Sequence, residues 1–432
     1  MNWSLAAYSA LAWAAQPLLK RKLRKRSKAE PGYAEAVPER FGYYSPKDLG
    51  RDAQGQWVWL HAVSLGETRA AALLVRELRA AMPDMRLLLT HGTATGRAEG
   101  RKLLQPGDVQ VWQPWDSRKA VRRFLQQFQP AVGVLMETEV WPNLVQGCQR
   151  MGVPLVLANA RLNVKSQMGA QRWSSLFMPT YAALRAVWAQ SEEDAERLRS
   201  VGAPVRAVLG NLKFDVQPDA ALLEKGRAWR AASPRPVVVL ASSRQGEEAQ
   251  WMAQWAGRKF HGVAGQCQWL IVPRHPQRFD EVHAQLLQAG LRVARRSQWG
   301  DGLPPTDVDV WLGDSLGEMP LYYAAADIGL LGGSFEPLGG QNLIEAAACA
   351  CPMVIGPHTF NFAQASQTAT EVGAAFRVLD MEQGVQLATA LVRDTAGLER
   401  ARAAALAFAG AHRGAAKATA QAIAQMVDSR GN

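Results

Sequence analysis

The chain has 432 residues, 48% hydrophobic and 20% charged, and a formal net charge of +11. That length exceeds one ordinary core, so two domains are expected, and the composition excludes a disordered chain. The basic balance points to anionic partners, and four cysteines without a CxxC pair read as reduced core thiols rather than a disulfide framework.

Residues 1–19 are almost uncharged and include Trp3, Leu5, Tyr8, Leu11, Trp13, Leu18 and Leu19. A basic burst follows: Lys20, Arg21, Lys22, Arg24, Lys25, Arg26 and Lys28. Charge after the apolar run is the reverse of a secretory signal. Basic residues beside an apolar helix stay on the cytoplasmic side and bind anionic lipid heads. A membrane anchor over residues 1–30 is therefore expected, as a short span or an interfacial helix.

From Gln56 the pattern alternates between strand and helix. Strands are expected at Trp57–Ala62, Arg86–Thr90, Val109–Trp112, Ala131–Met136, Leu155–Ala158 and Val187–Ala189. Helices are expected at Glu67–Met82, Arg118–Phe128, Leu144–Met151 and Glu192–Val201. Gly210–Asp215 closes this half, and a polar helix, Ala220–Ala232, bridges to the next. The rhythm restarts with strands at Val237–Ala241, Trp269–Val272, Val308–Leu312, Ile328–Leu331 and Met353–Ile355. Leu398–Val427 reads as one alanine-rich helical stretch. Such alternation argues for parallel sheets covered by helices on both faces, in two Rossmann-like halves, 31–215 and 216–432, facing a cleft.

Ligands of open α/β sheets bind at the carboxyl ends of strands, so the loops there carry the candidates. Glu67, in His61–Glu67 after the first strand, has the placement of a general base toward a hydroxyl; its bland reading is an ordinary helix-start glutamate. Glu137 and Glu139 follow Met136, one to face the cleft and the other to cap the next helix. Lys213 stands at the domain boundary, within reach of a phosphate or carboxylate. Pro273, Arg274 and His275 follow a strand, and arginine offers a planar fork for phosphate or carboxylate. Leu316, Gly317 and Glu318 lie in a glycine-containing loop, read either as a base-edge contact or as a capped helix start. The order strand, glycine loop, helix then recurs over Gly332–Glu345, where Gln341, Asn342, Leu343, Ile344 and Glu345 open a helix that offers N–H groups to a phosphate. The seven histidines are scattered and no HExxH occurs, so neither metal nor cofactor is expected.

Read together and in order, these motifs resemble the bacterial 3-deoxy-D-manno-octulosonic acid (Kdo) transferases of lipopolysaccharide synthesis. The matching stretches include Glu39–Gly42, His61–Glu67, Glu137–Asn143, Asn159–Leu162, Gln190–Asp194, Gly210–Asp215, Gly246–Glu248, Pro273–Pro276, Gly313–Met319, Gly332–Glu345 and Gly356–Phe362. The resemblance implies a GT-B fold, two Rossmann-like domains facing a central cleft with an N-terminal anchor helix. It implies CMP-Kdo as donor, a lipid A precursor (lipid IVA) as acceptor, the cytoplasmic face of the inner membrane as location, and inverting, metal-independent transfer. Glu67 matches the family's general base, Glu137 and Lys213 match positions that support the transition state, and the Arg274, Leu316–Glu318 and Asn342–Glu345 segments match CMP contacts. Two positions depart from the family pattern: Ser242-Ser243-Arg244-Gln245 stands for a usual Ser-Thr-His, and Gln341-Asn342 for a usual His-Asn. A GT-B transferase or epimerase using a UDP-sugar is the alternative enzyme. A basic membrane or nucleic-acid scaffold is the non-enzyme alternative, but the basic cluster lacks the interleaved aromatics of a nucleic-acid surface, so no nucleic-acid partner is expected.

Overall fold

Parallel strands buried on both faces need apolar residues at nearly every position. In the computed structural model, which describes residues 3–45, 56–256, 266–411 and 413–428, the inner strands meet that need. The chain divides into two compact units, one of Met1–Asp215 with Arg413–Asn432 and one of Val216–His412.

The first unit holds β1 (Trp57–His61), β2 (Arg86–His91), β3 (Val109–Trp112), β4 (Val132–Met136), β5 (Leu155–Ala160), β6 (Ala186–Ala189) and β7 (Val205–Val208). They form one parallel seven-stranded sheet in the order β3-β2-β1-β4-β5-β6-β7. Side chains alternate across a strand, so each face builds its own core. Trp59, Leu88 and Leu135 join Phe124 and Leu125 on one face. Val58, Leu60, Leu87 and Val134 join Leu74 and Leu78 on the other. Gly133 pairs with Trp59, and a Cβ there would meet the indole at 2.6 Å, so glycine is what lets the tryptophan lie in the sheet.

The second unit holds β8 (Val237–Ser243), β9 (Gln268–Pro273), β10 (Val293–Arg295), β11 (Val310–Leu312), β12 (Ile328–Leu331), β13 (Met353–Ile355) and β14 (Ala375–Arg377). These too are all parallel, in the order β10-β11-β9-β8-β12-β13-β14. Strand order reverses between β1 and β4 in the first unit and between β8 and β12 in the second. Those reversals open the crevices in which doubly wound sheets take ligands.

The chain's end departs from expectation. The stretch read as one helix is two, Thr395–Ala411 and Ala415–Asp428, broken at Gly414 with φ +103°. The second helix belongs to the first unit, not to the second, where 216–432 had placed it. Its Ala416, Ala420 and Ile423 enter the core beside Leu74, and the Asp215 carboxylate accepts hydrogen bonds from the amides of Gly414 and Ala416. An alanine-rich helix carries no mark of which core its small apolar face will join.

The N-terminal segment is two helices, Trp3–Ala14 and Gln16–Ala29, with Pro17 at the start of the second. Among the described residues no helix is long and apolar enough to cross a membrane. Leu5 is buried, whereas Trp3, Leu11, Trp13 and Leu18 are exposed.

Candidate functional site

Glu67 stands where β1 hands over to helix Leu65–Ala81. Ser64 caps that helix, its hydroxyl accepting from the Glu67 amide at 3.3 Å. The Glu67 carboxylate reaches back, accepting from the Val63 amide at 2.9 Å and from the Ser64 hydroxyl at 2.9 Å. This reciprocal capping fixes the side chain at the carboxyl end of the sheet. Each oxygen keeps a lone pair for a proton. Burial pushes the carboxyl above the usual carboxylate range; the Val63 N–H opposes that push and the charge of Glu137 adds to it.

Glu137 follows β4, directly across the reversal from β1. Its φ is +56°, in the left-handed region, where residues other than glycine are strained. The side chain is buried, and its Oε2 accepts from Arg161 Nε at 2.7 Å while Oε1 lies 3.9 Å from Lys213 Nζ. Lys213 is placed by Asn211, whose Oδ1 accepts from its amide at 3.0 Å, and Asn211 is held by Gln190 in turn. Asn159, also left-handed at φ +52°, accepts from the Leu212 amide at 3.1 Å. Glu67, Glu137 and Lys213 are thus brought to one crevice. Arg161, Asn159 and Gln190 complete it; the sequence reading places them in matching stretches without assigning them roles. Glu139 turns to Trp141, accepting from its indole at 2.9 Å. Burial pushes its carboxyl upward too, with the charge of Glu67 adding. Beneath lie His61 and His91, which burial holds neutral, pushed down to about 3 and about 4. They are core groups bonded to Thr90 and Ala62, in line with a structural reading of His61.

In the second unit the basic residues gather at the other reversal. Arg244 follows β8, and Arg274 follows β9. His275 is pushed down by burial and then by the charges of Arg244, Arg274 and Arg278, so four cationic or ionisable groups share one corner. Arg278 is already engaged, bidentate on Glu248 at 2.8 and 3.1 Å. Arg274 Nε donates to Gln341 Oε1 at 3.2 Å, which joins the two stretches that the resemblance links to the donor. Gly332 packs on the β8 backbone, where a Cβ would meet Ser242 O at 2.2 Å, and Gly333 has φ +70°. Glu247, fully buried, holds this turn: its carboxylate accepts from the amides of Arg244 and Gly333 at 2.8 Å each and of Phe335 at 3.1 Å.

The remaining candidates divide. Asn342 caps helix Leu343–Ala348, accepting from the Ile344 amide at 3.1 Å, so that N–H is already occupied. Leu343 and Ile344 are each 1% exposed, and their side chains serve the core. Glu345 is half-buried and, with Arg274, lies near the buried Tyr323, whose hydroxyl burial pushes up. Pro273 ends β9 and is buried. Leu316 is exposed and Gly317 has φ +83°. Glu318 pairs with Arg296 at 2.7 Å and directly precedes helix Met319–Ala325, which starts without a side-chain cap, so the capped helix start is not what this loop forms. Among the described residues no group of three or more His, Cys, Asp or Glu is gathered to hold a metal.

A family profile described as "3-Deoxy-D-manno-octulosonic-acid transferase (kdotransferase)" matches residues 35–216. A 3-deoxy-D-manno-octulosonic acid transferase of Bordetella pertussis is 45% identical over 404 residues, 92% of this chain and 93% of that protein. The chain belongs to the Kdo transferase family. A second member, from Haemophilus influenzae, is 31% identical over 86% of each chain. This Kdo transferase also shares its fold with a glycosyltransferase of Rickettsia africae (TM-score 0.55, 12% identity, 87% of this chain and 99% of that one). A UDP-GlcNAc 2-epimerase of Neisseria meningitidis gives a TM-score of 0.54 at 13% identity over 86% of this chain and 99% of its own. The transferase is therefore a glycosyltransferase of GT-B architecture, two Rossmann-like units each with one parallel seven-stranded sheet.

Proposed function

We propose that this Kdo transferase moves Kdo from CMP-Kdo to a lipid A precursor, inverting the anomeric centre without a metal. The observation that carries the reading is Glu67, fixed by Val63 and Ser64 at the reversal of its sheet with a carboxyl raised by burial. A raised carboxylate is a stronger base, closer to what abstraction of a hydroxyl proton needs. Glu67 takes the proton of an acceptor glucosamine hydroxyl. That oxygen bonds to the anomeric carbon of Kdo as the bond to the CMP phosphate breaks, and the electron pair leaves with CMP.

The second unit answers the anions. Arg244 and Arg274 beside His275 supply positive charge for the leaving phosphate or the Kdo carboxylate, as fixed donors do where charge builds. Glu137, Lys213 and Arg161 form a pre-set ion network beside the base. Residues 31–215 are assigned the acceptor side and the second unit the CMP-sugar side.

The location proposed is the inner membrane, cytoplasmic face. Supporting it are the exposed Trp3, Leu11, Trp13 and Leu18 and a following helix, Gln16–Ala29, whose charged residues are all basic. Such a segment suits an interfacial helix on an anionic surface.

Equilibrium binding of CMP against UDP tests the donor assignment. CMP binding well ahead of UDP supports it. Preference for UDP moves the protein to the UDP-sugar enzymes whose fold it shares.

A further inference from the structure

Asp215 is the last residue of the first unit before the chain leaves it, and Arg413 is the first after its return. Helix Ala415–Asp428 starts behind Arg413 and Gly414, neither of which has a side-chain oxygen. The usual Ser, Thr, Asn or Asp cap is therefore missing from the local sequence, and the first amides of the helix need an acceptor from elsewhere. Asp215 supplies it from 199 residues away, Oδ1 accepting from the Gly414 amide and Oδ2 from the Ala416 amide. Asp215 is buried, and its negative charge meets the positive end of the helix dipole.

The same residue ends a second element. Asp215 closes the short 3-10 helix Leu212–Asp215, which carries Lys213. The front of that turn is held by polar side chains: Asn159 Oδ1 accepts from the Leu212 amide at 3.1 Å, and Asn211 Oδ1 from the Lys213 amide at 3.0 Å. The Phe214 amide donates to the Asn211 carbonyl at 3.0 Å. The back is held by the helix, through the Asp215 carboxylate and through Leu212, which shares a core with Ala415, Ala416, Ala420 and Ile423.

What the turn carries is sensitive to where the turn lies. Lys213 Nζ stands 3.9 Å from Glu137 Oε1, at the outer limit of an ion pair. A small retreat of the backbone at residue 213 takes Nζ out of range of the carboxylate and of the charge that it steadies.

We propose that Asp215 is a positioning residue for the transfer: by capping helix Ala415–Asp428 it holds the Leu212–Asp215 turn where Lys213 faces Glu137. Asp215 acts through the backbone of the turn, not by touching substrate. The inference rests on the functional reading above for the role of Lys213. It adds that the C-terminal helix supports the reacting groups of the first unit as well as its core. A carboxylate that served only to dock the helix would lower stability when lost and leave the rate of the folded protein alone.

The test is a double-mutant cycle on the full chain, with CMP-Kdo generated in situ and tetraacylated lipid A precursor. Wild type, Asp215→Asn, Lys213→Met and the double variant are compared by kcat, KM and melting temperature. Asparagine keeps the shape and one acceptor oxygen and loses the charge and the second acceptor. Asp215→Asn is expected to lower kcat about tenfold, with KM for CMP-Kdo within about twofold, since misplacement by about 1 Å can cost about 10²-fold. Beside Lys213→Met the same change is expected to cost less than about twofold, because the group it positions is gone. Should Asp215→Asn not fold, Asp215→Glu carries the same cycle: it keeps charge and both oxygens but displaces them by one methylene, and a loss in kcat of roughly threefold is expected, again absent beside Lys213→Met. Equal losses with and without Lys213, or a wild-type kcat in the folded Asp215 variant, overturn the proposal and leave Asp215 a helix cap. A Lys213→Met protein that transfers at the wild-type rate overturns instead the role given to Lys213, and the proposal with it.

Discussion

The Glu247 carboxylate accepts a 2.8 Å hydrogen bond from the Gly333 amide. One buried side chain after β8 therefore sets the glycine turn after β12, and it holds the Arg244 and Phe335 amides as well. Glu247→Ala leaves three inward-facing amides without their acceptor. Each unsatisfied buried group costs about 1–3 kcal/mol, so chemical denaturation of the variant is expected at clearly lower denaturant, with weakened CMP binding in the folded fraction. An unchanged midpoint contradicts this role.

Gly332 and Gly317 test two different demands on glycine. An alanine Cβ at Gly332 meets Ser242 O at 2.2 Å, a backbone atom that cannot swing aside. Overpacking of that kind costs about 1–3 kcal/mol or more. At Gly317 nothing lies within 4 Å, and only the φ of +83° resists a side chain. That conformational penalty is roughly 1–2 kcal/mol. Thermal melts of Gly332→Ala and Gly317→Ala are expected to show the greater loss at Gly332; equal losses contradict the steric argument.

The pH profile follows from the coupling of Glu67 and Glu137. Burial raises the Glu67 carboxyl, and the Glu137 charge raises it further. A base must be deprotonated, so kcat/KM rises with pH through the Glu67 titration. Glu137→Gln removes a negative charge and leaves Arg161 and Lys213 positive, so the acid limb is expected to move to lower pH. Profiles of the two proteins check the sign; a shift to higher pH contradicts the assignment.

Arg274 Nε donates to Gln341 Oε1. A charged hydrogen bond to a phosphate is worth about 1.5–3 kcal/mol, so Arg274→Ala is expected to weaken CMP binding by roughly ten- to a hundredfold. Gln341→Ala removes only a neutral neighbour and is expected to weaken it far less. Titration calorimetry on both variants, with comparable losses as the contrary outcome, decides whether Arg274 is the nucleotide's contact.

Most inner strands are legible in the sequence because both faces are buried: Val132–Met136 and Ile328–Leu331 read as unbroken apolar runs. The strands that go unread, β7, β10 and β14, are three or four residues long, partly exposed and at sheet edges. Without two buried faces an edge strand carries no apolar run. In the crevice, Glu67, Glu137 and Lys213 are readable because each follows a strand or a boundary motif. Glu247 and Arg161 are not, since their importance lies in partners 24 to 88 residues away in the chain. The join of Ala415–Asp428 to the first unit is of the same kind, made by Asp215 across 199 residues.

The central claim is that Glu67 drives Kdo transfer from CMP-Kdo to a lipid A precursor. The direct measurement supplies CMP-Kdo generated in situ and tetraacylated precursor to wild type and to Glu67→Ala, and reads the lipid product by mass. Removing a placed base typically costs about 10²–10⁴ in rate. The account predicts lipid carrying one or more added Kdo units with wild type and a loss of that size in the folded variant. Transfer by folded Glu67→Ala at the wild-type rate would contradict it.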